Sequence, residues 1–436
     1  MPWEISLGLI LGALVFLFVM GLPIFVAFMA INIIGILFLF GLRGFGFFTN
    51  SLFETTTSSA LIAVPLFLFM GELLFRSGAI KVVYTSLDQL VGRSVRRLYY
   101  LSISLATVFG ALSGSSMGVA AMMGRSVLPG MVERGYDRKL STATILGGAS
   151  LAPIIPPSVI IILIGSLSGA SIADLLIGGI IPGLVIALLM LLFVIVSVAL
   201  RPDRAPSVPD DAPDVSLAQK FLAVGRMVPF AIIILSILGS IFAGIATPEE
   251  SAATGVLGTV IVAALYRNLS PRVLADAAMN ATLVAAMIMA VMMSSKLFSQ
   301  LLAFTGATSG LVSSATALPV GPEVMLFILL AIPFVLCLFI DPLGLMLVVV
   351  PIYVPLIDAL GFDETWFWIL FLINITVGSI SPPFGLTLFA LNGAYPAASL
   401  REIYAAAWPM VAIFLTGLLL VVLIPGLATF LPGLLR

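Results

Sequence analysis

The amino-acid sequence predicts an all-α polytopic membrane protein, and three observations support this fold class. Hydrophobic residues make up 61% of the 436-residue chain and charged residues only 9%, with a mean hydropathy of +1.26. A soluble domain carries about 25% charged residues, so most of this surface must face lipid. The apolar runs exceed about 15 residues and do not alternate with a period of two, which favours helices over a β-barrel.

The composition also excludes several classes of function. The chain has no histidine, which excludes a Ser-His protease, a His-ligated metal site and a histidine proton relay. Cys337 is the single cysteine, so a disulfide framework and a cysteine metal cluster are excluded. A net charge of −1 does not indicate the basic surface that a nucleic-acid-binding protein needs. The N-terminus lacks a basic region and a small-residue cleavage site, so we interpret 4–20 as a retained helix.

The apolar segments predict about 10–12 membrane-spanning helices, at roughly 20 residues for each crossing. Two stretches, 98–130 and 324–357, are apolar but interrupted at mid-length, the first at Ser113-Gly114-Ser115-Ser116 and the second at Asp341-Pro342. The other segments are 4–20, 22–40, 58–76, 140–168, 175–200, 228–244, 250–266, 274–303, 366–395 and 405–425.

The charges beside the two interrupted stretches predict that each stretch is a re-entrant helical hairpin. Basic residues flank 98–130 on both sides, within 76–97 and 133–139, so both flanks are cytoplasmic by the positive-inside rule. Counting the spans forward places 324–357 between acidic residues on the outer side, Glu323 before it and Asp358 after it. The first hairpin therefore enters from inside and the second from outside. Arg43 is the one charge that this topology misplaces.

The same features recur in both halves of the chain. The two Pro-Pro pairs, 156–157 and 382–383, interrupt apolar segments 226 positions apart, and the hairpin breaks at Ser113 and Asp341 lie 228 apart. Each half thus contains a hairpin and then a Pro-Pro-broken helix, and the opposite entry of the hairpins makes the repeat inverted. Inverted repeats with broken helices are typical of secondary transporters. The Pro- and Asp-rich stretch 201–216 is interpreted as the linker between the halves.

The first half offers candidate oxygen ligands for a cation. The hairpin tip contains three hydroxyl groups and a glycine, and the following break would free backbone carbonyls that a helix normally uses. Oxygen ligands of this kind suit Na⁺, although packing of small residues between helices also enriches Gly, Ala and Ser. The candidate ion-binding residues are Ser113, Gly114, Ser115, Ser116, Gly148 and Pro153.

In the second half Asp341 is the most informative residue, because a carboxylate within an apolar run costs about 2.5–3.5 kcal/mol on insertion scales. It either ligates a cation or caps the helix that begins at Pro342, and the two roles are compatible. The opposite wall of this site is predicted to contain Gly378, Ser379 and Ser381.

These motifs resemble the large membrane (M) subunit of TRAP transporters, the tripartite ATP-independent periplasmic transporters. The resemblance runs from about residue 5 to 425 and is carried by VPLFLFMGELLFRSG (64–78), GALSGSSMGVAAMMGRSVLPGMVERGYDR (110–138), GGASLAPIIPPS (147–158), GIATPEESAA (244–253), DPLGLMLVVVPIYVPL (341–356) and GSISPPFGLTLF (378–389). In SISPPF a serine, Ser381, stands where the family more often has threonine, and a hydroxyl is retained.

The resemblance implies a function, a mechanism and partners. Family members import organic anions, among them C4-dicarboxylates, sialic acid and keto acids, with Na⁺ as coupling ion and without another cofactor. They work in the bacterial inner membrane with a periplasmic solute-binding protein and a small four-helix membrane (Q) subunit. An elevator mechanism is attributed to them, in which a transport domain slides against a scaffold. The solute is expected to face Ser116, Pro156, Pro157, Ser158, Asn374, Pro382 and Pro383.

Mapped onto this chain, the resemblance implies a transport domain in two parts. These are 98–168, with hairpin 98–130 and broken helix 140–168, and 324–395, with hairpin 324–357 and broken helix 366–395. The scaffold would be 1–97, with an amphipathic surface helix near 79–95, and 169–323, with a cytoplasmic linker at 201–226. A C-terminal helix in 396–436 would likewise belong to the scaffold.

Two alternatives remain at the level of sequence. The first is a stand-alone ion-coupled permease of the citrate or dicarboxylate type that needs no binding protein. The second is a membrane-embedded aspartyl protease using Asp341, which would need a second aspartate on a facing helix. Asp174, Asp358 and Asp363 all fall in predicted loops, so the sequence predicts a transporter and not an enzyme.

Overall fold

The computed structural model describes residues 2–91, 96–206 and 216–434, in which 22 α-helices and no strand occur. The helices of the first half are α1 (Trp3–Val19), α2 (Ile24–Phe40), α3 (Phe45–Thr56), α4 (Ala63–Arg76), α5 (Ala79–Val91), α6 (Arg97–Ser113), α7 (Ser116–Ser126), α8 (Leu128–Glu133), α9 (Arg138–Ser150), α10 (Val159–Ser168), α11 (Ile172–Gly178) and α12 (Ile180–Leu200). Those of the second half are α13 (Leu217–Phe242), α14 (Pro248–Leu265), α15 (Pro271–Phe304), α16 (Ala307–Thr316), α17 (Pro322–Cys337), α18 (Pro342–Leu360), α19 (Glu364–Ile380), α20 (Leu386–Ala394), α21 (Leu400–Leu423) and α22 (Gly426–Gly433).

Helix length and surface chemistry confirm a multi-pass membrane protein. In the described part of the chain seven helical segments are long and apolar enough to cross a membrane: Ile24–Thr56, Ser59–Arg76, Ile172–Leu200, Leu217–Phe242, Pro271–Phe304, Pro342–Leu360 and Leu400–Leu423. Four shorter apolar helices, α1, α10, α17 and α19, accompany them. Large side chains such as Phe38 (82% exposed) and Leu235 (67%) face outwards, as a lipid-covered surface allows.

Two helices of the first half begin at positions matched by helices of the second half. α6 begins at Arg97 and α17 at Pro322, 225 positions later; α9 begins at Arg138 and α19 at Glu364, 226 positions later. The paired helices α6–α7 and α17–α18 correspond to the predicted hairpins, and the helices before and after each Pro-Pro pair correspond to the predicted broken helices. The internal repeat and the inverted orientation of the two halves stay predictions.

The helices pack into two groups. In the first, here called the frame group (α1–α5 and α13–α16), α15 contacts α2, α3 and α4, and α14 contacts α4 and α13. In the second, the hairpin group (α6–α12 and α17–α22), α9 contacts α6 and α21, α7 contacts α20, and α19 contacts α17 and α21. The groups meet where α4 and α5 contact α6 and where α15 and α16 contact α18.

Two helices of the predicted scaffold contact helices of the predicted transport domain, and the division into these two domains stays a prediction. The segment 175–200 and the C-terminal helix are predicted to belong to the scaffold. In the structure α12 contacts α6, α9 and α21, and α21 contacts α9, α19 and α20. Both helices therefore pack within the hairpin group. Hydropathy alone could not show this, because an apolar helix gives no information on which neighbour it meets.

Several boundaries also differ from the predictions. α13 begins at Leu217, so the last ten residues of the predicted linker 201–226 are helical, while 207–215 lie outside the described residues. Ser216 and Gln219 form a capping box that starts this helix early. The predicted surface helix near 79–95 is present as α5 over its described part. The short helices α3, α16 and α22 were not predicted.

The start of the linker is fixed to the hairpin group. The backbone N–H of Asp137, at the start of α9, donates a hydrogen bond to the carbonyl oxygen of Arg204 at 2.9 Å. The Tyr99 hydroxyl donates to the same oxygen at 2.5 Å and accepts a hydrogen bond from the Asp137 N–H at 3.1 Å. The chain leaving α12 is thus attached to α6 and α9 before it crosses to α13 in the frame group.

Candidate functional site

A cavity of about 250 Å³ lies where the hairpin group meets the frame group. Four helices begin at residues that line it: α7 at Ser116, α10 at Val159, α18 at Pro342 and α20 at Leu386. These are the outgoing helices of both hairpins and of both broken helices. The remaining lining residues are Leu68, Gly114, Ser115, Met117, Pro153, Ile160, Val284, Met287, Ile288, Asp341, Leu343, Ile375, Thr376, Ser379 and Thr387.

The tip of the first hairpin turns at Gly114 and Ser115. Gly114 ends α6 in the left-handed region (φ +64°), where other residues are strained. The Ser115 side chain then caps α7 by accepting a hydrogen bond from the backbone N–H of Gly118 at 3.1 Å. Gly114, Ser115 and Ser116 all line the cavity as predicted residues of the site, while the Ser113 side chain lies outside the described part of the chain.

The first break contributes Pro153 to the cavity and keeps its other residues in the protein interior. The fully buried Ser158 hydroxyl donates a hydrogen bond to the Pro153 carbonyl oxygen at 2.6 Å and caps α10 through the N–H of Ile161 at 3.4 Å. Pro156 and Pro157, joined by a cis peptide bond, are buried. These three residues, predicted to face the solute, are not among those that line the cavity.

Gly148 has a packing role at the crossing of α9 and α6. A Cβ atom at this position would lie 2.7 Å from the Cβ of Ala106 and 3.2 Å from the carbonyl oxygen of Ile103. Gly148 does not line the cavity. If it contributes to an ion site as predicted, it does so by positioning α9 against α6 and not by contacting the ion.

The second hairpin places Asp341 at the cavity. Its carboxylate caps α18 by accepting a hydrogen bond from the backbone N–H of Gly344 at 3.1 Å, and Pro342 occupies the first helical position. The predicted cap is therefore present. Among the described residues that line the cavity, Asp341 is the only charged one.

The second break brings Ser379 and Thr376 to the cavity. The Ser379 hydroxyl donates to the carbonyl oxygen of Thr376 at 2.7 Å. Ser381 is buried and donates to the carbonyl oxygen of Val377 at 2.8 Å, away from the cavity lining. Gly378 faces hairpin helix α17, because a Cβ there would clash with the Cβ of Cys337.

Three residues predicted to face the solute lie elsewhere around this break. Asn374 is buried, and its side-chain amide donates to the carbonyl oxygen of Leu330 on α17 at 2.8 Å. Pro382 and Pro383 also form a cis bond and do not line the cavity; the Pro383 carbonyl oxygen accepts a hydrogen bond from the Tyr404 hydroxyl at 2.6 Å. On α19, Asn374 points away from Thr376 and Ser379 because each residue turns the helix by about 100°.

The structure adds residues that the sequence did not indicate. Thr387, one residue after the start of α20, is 1% exposed and lines the cavity, and its Oγ1 has no hydrogen-bond partner in the described structure. A threonine in the apolar run LTLF resembles an ordinary helix residue, so no local pattern distinguished it. The frame group contributes Leu68 from α4 and Val284, Met287 and Ile288 from α15, which only tertiary packing could reveal.

The cavity can interact with ions of both signs. The first turn of each outgoing helix presents backbone N–H groups and the positive end of a helix dipole. Hydroxyl groups, the Asp341 carboxylate and the carbonyls near the ends of α6 and α19 offer oxygen atoms. Groups of three or more His, Cys, Asp or Glu side chains suited to a transition metal do not occur within the described ranges.

Known proteins similar to this chain are transporter components. It is 27% identical to the ectoine TRAP transporter large permease protein TeaC of Halomonas elongata over 97% of this chain and 98% of that protein. It is 28% identical to the C4-dicarboxylate TRAP transporter large permease protein DctM of Pseudomonas aeruginosa, over 88% of each. The solved structure of the Alcanivorax borkumensis YdaH transporter shares the fold, with a TM-score of 0.57 and 18% identity over 91% of this chain and 90% of that one.

Residues 11–427 match the family profile of the DctM component of tripartite ATP-independent periplasmic transporters. The match covers both hairpins, both breaks and every residue that lines the cavity. The chain therefore belongs to the DctM family, the large permease components of TRAP transporters.

Proposed function

We propose that this protein is the large membrane component of a Na⁺-coupled importer of a small organic anion in a bacterial inner membrane. The observation that carries the proposal is the convergence of four helix N-termini and Asp341 on one cavity between two helix groups.

The helix N-termini account for the attraction of an anion. Each carries roughly half a positive charge, and the first-turn N–H groups that the caps of Ser115, Ser158 and Asp341 leave free can donate to a carboxylate. Broken helices that direct their N-terminal ends at an anionic substrate occur in other secondary transporters. Ser116 and Ser379 line the same cavity, and their hydroxyl groups can form further hydrogen bonds with the anion.

Oxygen atoms from the hairpin tips and from the end of α19 can bind the coupling cation. Asp341 supplies a negative charge, and Ser115, Thr376 and the carbonyl groups near the helix ends supply neutral oxygen atoms. Such a set suits a hard monovalent cation, and soft sulfur and imidazole ligands are not required. Na⁺ and the organic anion would neutralise each other in the same cavity, which makes their joint transfer favourable.

The position of the cavity supports an elevator mechanism. It has one wall from the frame group, α4 and α15, and the other walls from the hairpin group. Sliding of the hairpin group along this interface would carry the bound solute from one side of the membrane to the other. In this proposal α12 and α21 move with the hairpins, since they pack against α9 and α19.

The family description supplies the expected partners. A tripartite periplasmic transporter implies a periplasmic solute-binding protein and a small membrane subunit as the other components. The named relatives carry ectoine and C4-dicarboxylates, which are small carboxylate-containing solutes. A stand-alone permease is not favoured, because the described relatives belong to TRAP systems.

Reconstituted uptake tests the proposal. Proteoliposomes containing this chain and its small subunit should accumulate the solute only when the binding protein and an inward Na⁺ gradient are both present. Equal uptake by this chain alone would contradict the tripartite assignment. Uptake that follows a proton gradient and ignores Na⁺ would contradict the choice of coupling ion.

A further inference from the structure

We infer that Ser295 and the backbone carbonyl of Leu347 form a latch between the frame group and the hairpin group, which must open whenever the hairpin group slides. The Ser295 hydroxyl on α15 donates a hydrogen bond to the carbonyl oxygen of Leu347 on α18. The inference rests on the elevator movement of the proposed function. It follows from the sequence of α18, from the contacts of the residues beside Ser295 and from the position of the hydrogen bond near the cavity.

Pro351 makes the Leu347 carbonyl available as an acceptor. In an α-helix the carbonyl oxygen of residue 347 accepts a hydrogen bond from the N–H of residue 351. Proline has no N–H, and its ring pushes against the carbonyl four positions earlier. Pro351 lies inside α18, so the regular helical donor to the Leu347 carbonyl is missing. The hydroxyl of Ser295 on α15 replaces that donor.

Ser295 and its neighbour Ser294 use their hydroxyl groups differently. A serine inside a helix can donate to a carbonyl three or four positions earlier in the same helix. Ser294 does so, with a hydrogen bond of 2.8 Å to the carbonyl oxygen of Val291. Both serines are 0% exposed, so neither hydroxyl is hydrated. Ser295 instead donates to a helix of the other group, which makes its hydrogen bond a contact across the interface.

The residues on either side of Ser295 attach α15 to the frame group. The side-chain amide of Asn32 on α2 donates to the carbonyl oxygen of Ser294 at 2.7 Å. The Lys296 ammonium lies 3.1 Å from a carboxylate oxygen of Glu54 on α3. Three consecutive residues of α15 thus contact three different helices, two of them in the frame group. Ser295 therefore stays with the frame group, and a displacement of α18 breaks its hydrogen bond.

The latch lies close to the cavity on two helices that line it. On α18, Leu347 follows the lining residue Leu343 by one turn, and on α15, Ser295 follows the lining residue Ile288 by two turns. After sliding, the Ser295 hydroxyl can donate to a carbonyl of its own helix. The Leu347 carbonyl has no such alternative, because Pro351 lacks the N–H. A buried carbonyl without a donor is unfavourable, so the latch favours the arrangement of this structure.

Distances between spin labels on the two groups test the inference. Arg272→Cys on α15 and Arg401→Cys on α21 place labels at exposed positions of the frame group and the hairpin group, and the natural Cys337 is buried. Pulsed electron paramagnetic resonance on the full chain with its small subunit in lipid nanodiscs gives the ratio of the slid arrangement to the present one. Ser295→Ala should raise this ratio by at least about fivefold, the effect of losing one hydrogen bond.

Ser294→Ala is the matched control. It removes an equally buried hydroxyl whose hydrogen bond lies within α15 and is the same in both arrangements, so the ratio should not change. If Ser295→Ala and Ser294→Ala give the same ratio, the latch is overturned and the elevator proposal stands. A single distance in every variant, with and without Na⁺, contradicts the elevator movement and the latch together.

Pro351→Ala tests the latch from the side of the acceptor. Alanine gives the Leu347 carbonyl a donor in its own helix in both arrangements, so this variant alone should also raise the ratio of the slid arrangement. Adding Ser295→Ala to it should have little further effect, because the carbonyl no longer depends on the serine. An effect of Ser295→Ala that is as large with alanine at position 351 as with proline overturns the inference.

Discussion

The carboxylate of Asp341 accepts a hydrogen bond from the backbone N–H of Gly344 and so holds its charge at the N-terminus of α18, beside the cavity. Asn caps a helix about as well as Asp, so Asp341→Asn should leave the fold intact. It removes the negative charge that we assign to the cation. We expect the Na⁺ concentration for half-maximal uptake to rise about tenfold, which corresponds to about 1.4 kcal/mol.

Asp341→Ala is the companion variant for this prediction. Loss of the cap should lower stability by about 0.5–2 kcal/mol, in addition to the change in Na⁺ dependence. If Asp341→Asn transports with the Na⁺ dependence of the natural chain, Asp341 is a cap and not a cation ligand.

Gly378 and Cys337 define the contact between α19 and α17. Gly378→Ala would place a Cβ in steric clash with the Cβ of Cys337, and we expect overpacking to lower the free energy of unfolding by about 1–3 kcal/mol. Thermal unfolding of the purified protein measures it. Cys337→Gly should partly rescue Gly378→Ala, and Cys337→Ala should not, because alanine keeps the Cβ.

Gly393→Ala is the matched control, since nothing lies within 4 Å of a Cβ at this position of α20. It should be neutral or stabilising, because alanine favours a helix over glycine by up to about 1 kcal/mol. If Gly378→Ala is as stable as Gly393→Ala, the prediction is wrong, and α17 and α19 can move apart to accept the added methyl group at little cost.

Ser158 holds the first break together through the carbonyl oxygen of Pro153. In Ser158→Ala this buried carbonyl loses its hydroxyl donor, which should cost about 1–3 kcal/mol of stability. Ser158→Thr retains a hydroxyl and should recover most of the loss. Ser126→Ala removes an exposed hydroxyl bonded to the carbonyl oxygen of Met122 and should have little effect on thermal unfolding.

Thr387→Val is expected to affect the stability of the solute-free protein and the affinity for the solute in opposite directions. Valine has the shape of threonine without its unpaired hydroxyl, so the solute-free protein should be as stable as before or more stable. Solute binding should weaken about fivefold, the effect of losing one hydrogen bond of about 1 kcal/mol. Titrations that follow the thermal unfolding temperature measure both effects, with exposed Thr416→Val as the control.

The features that could be predicted from sequence are those with a local cause. Gly114, the Asp341-Pro342 pair and the Pro-Pro pairs each interrupt an apolar run, so they located both hairpins and both broken helices. The family assignment confirms that the protein is a transporter component and not an enzyme.

The features that could not be predicted depend on contacts between distant segments. The membership of α12 and α21 in the hairpin group, and the wall formed by Met287 and its neighbours, result from tertiary packing. Gly148 and Gly378 lie in sequence segments rich in small residues, which suggested an ion site. In the structure both lie where two helices pack closely. Helical periodicity alone could have placed Asn374 on the face of α19 opposite Thr376 and Ser379, which is the face that packs against α17.

The hydrogen bonds of Tyr99 and Asp137 to Arg204 have a mechanical consequence. They fix one end of the connection between the two helix groups, and the other end is fixed where α13 begins at Leu217. At 3.3–3.6 Å per residue, a fully extended chain from 204 to 217 spans at most about 45 Å. In the elevator mechanism proposed above, the distance between residues 204 and 217 could not exceed this length, so the covalent connection would limit how far the two helix groups move apart.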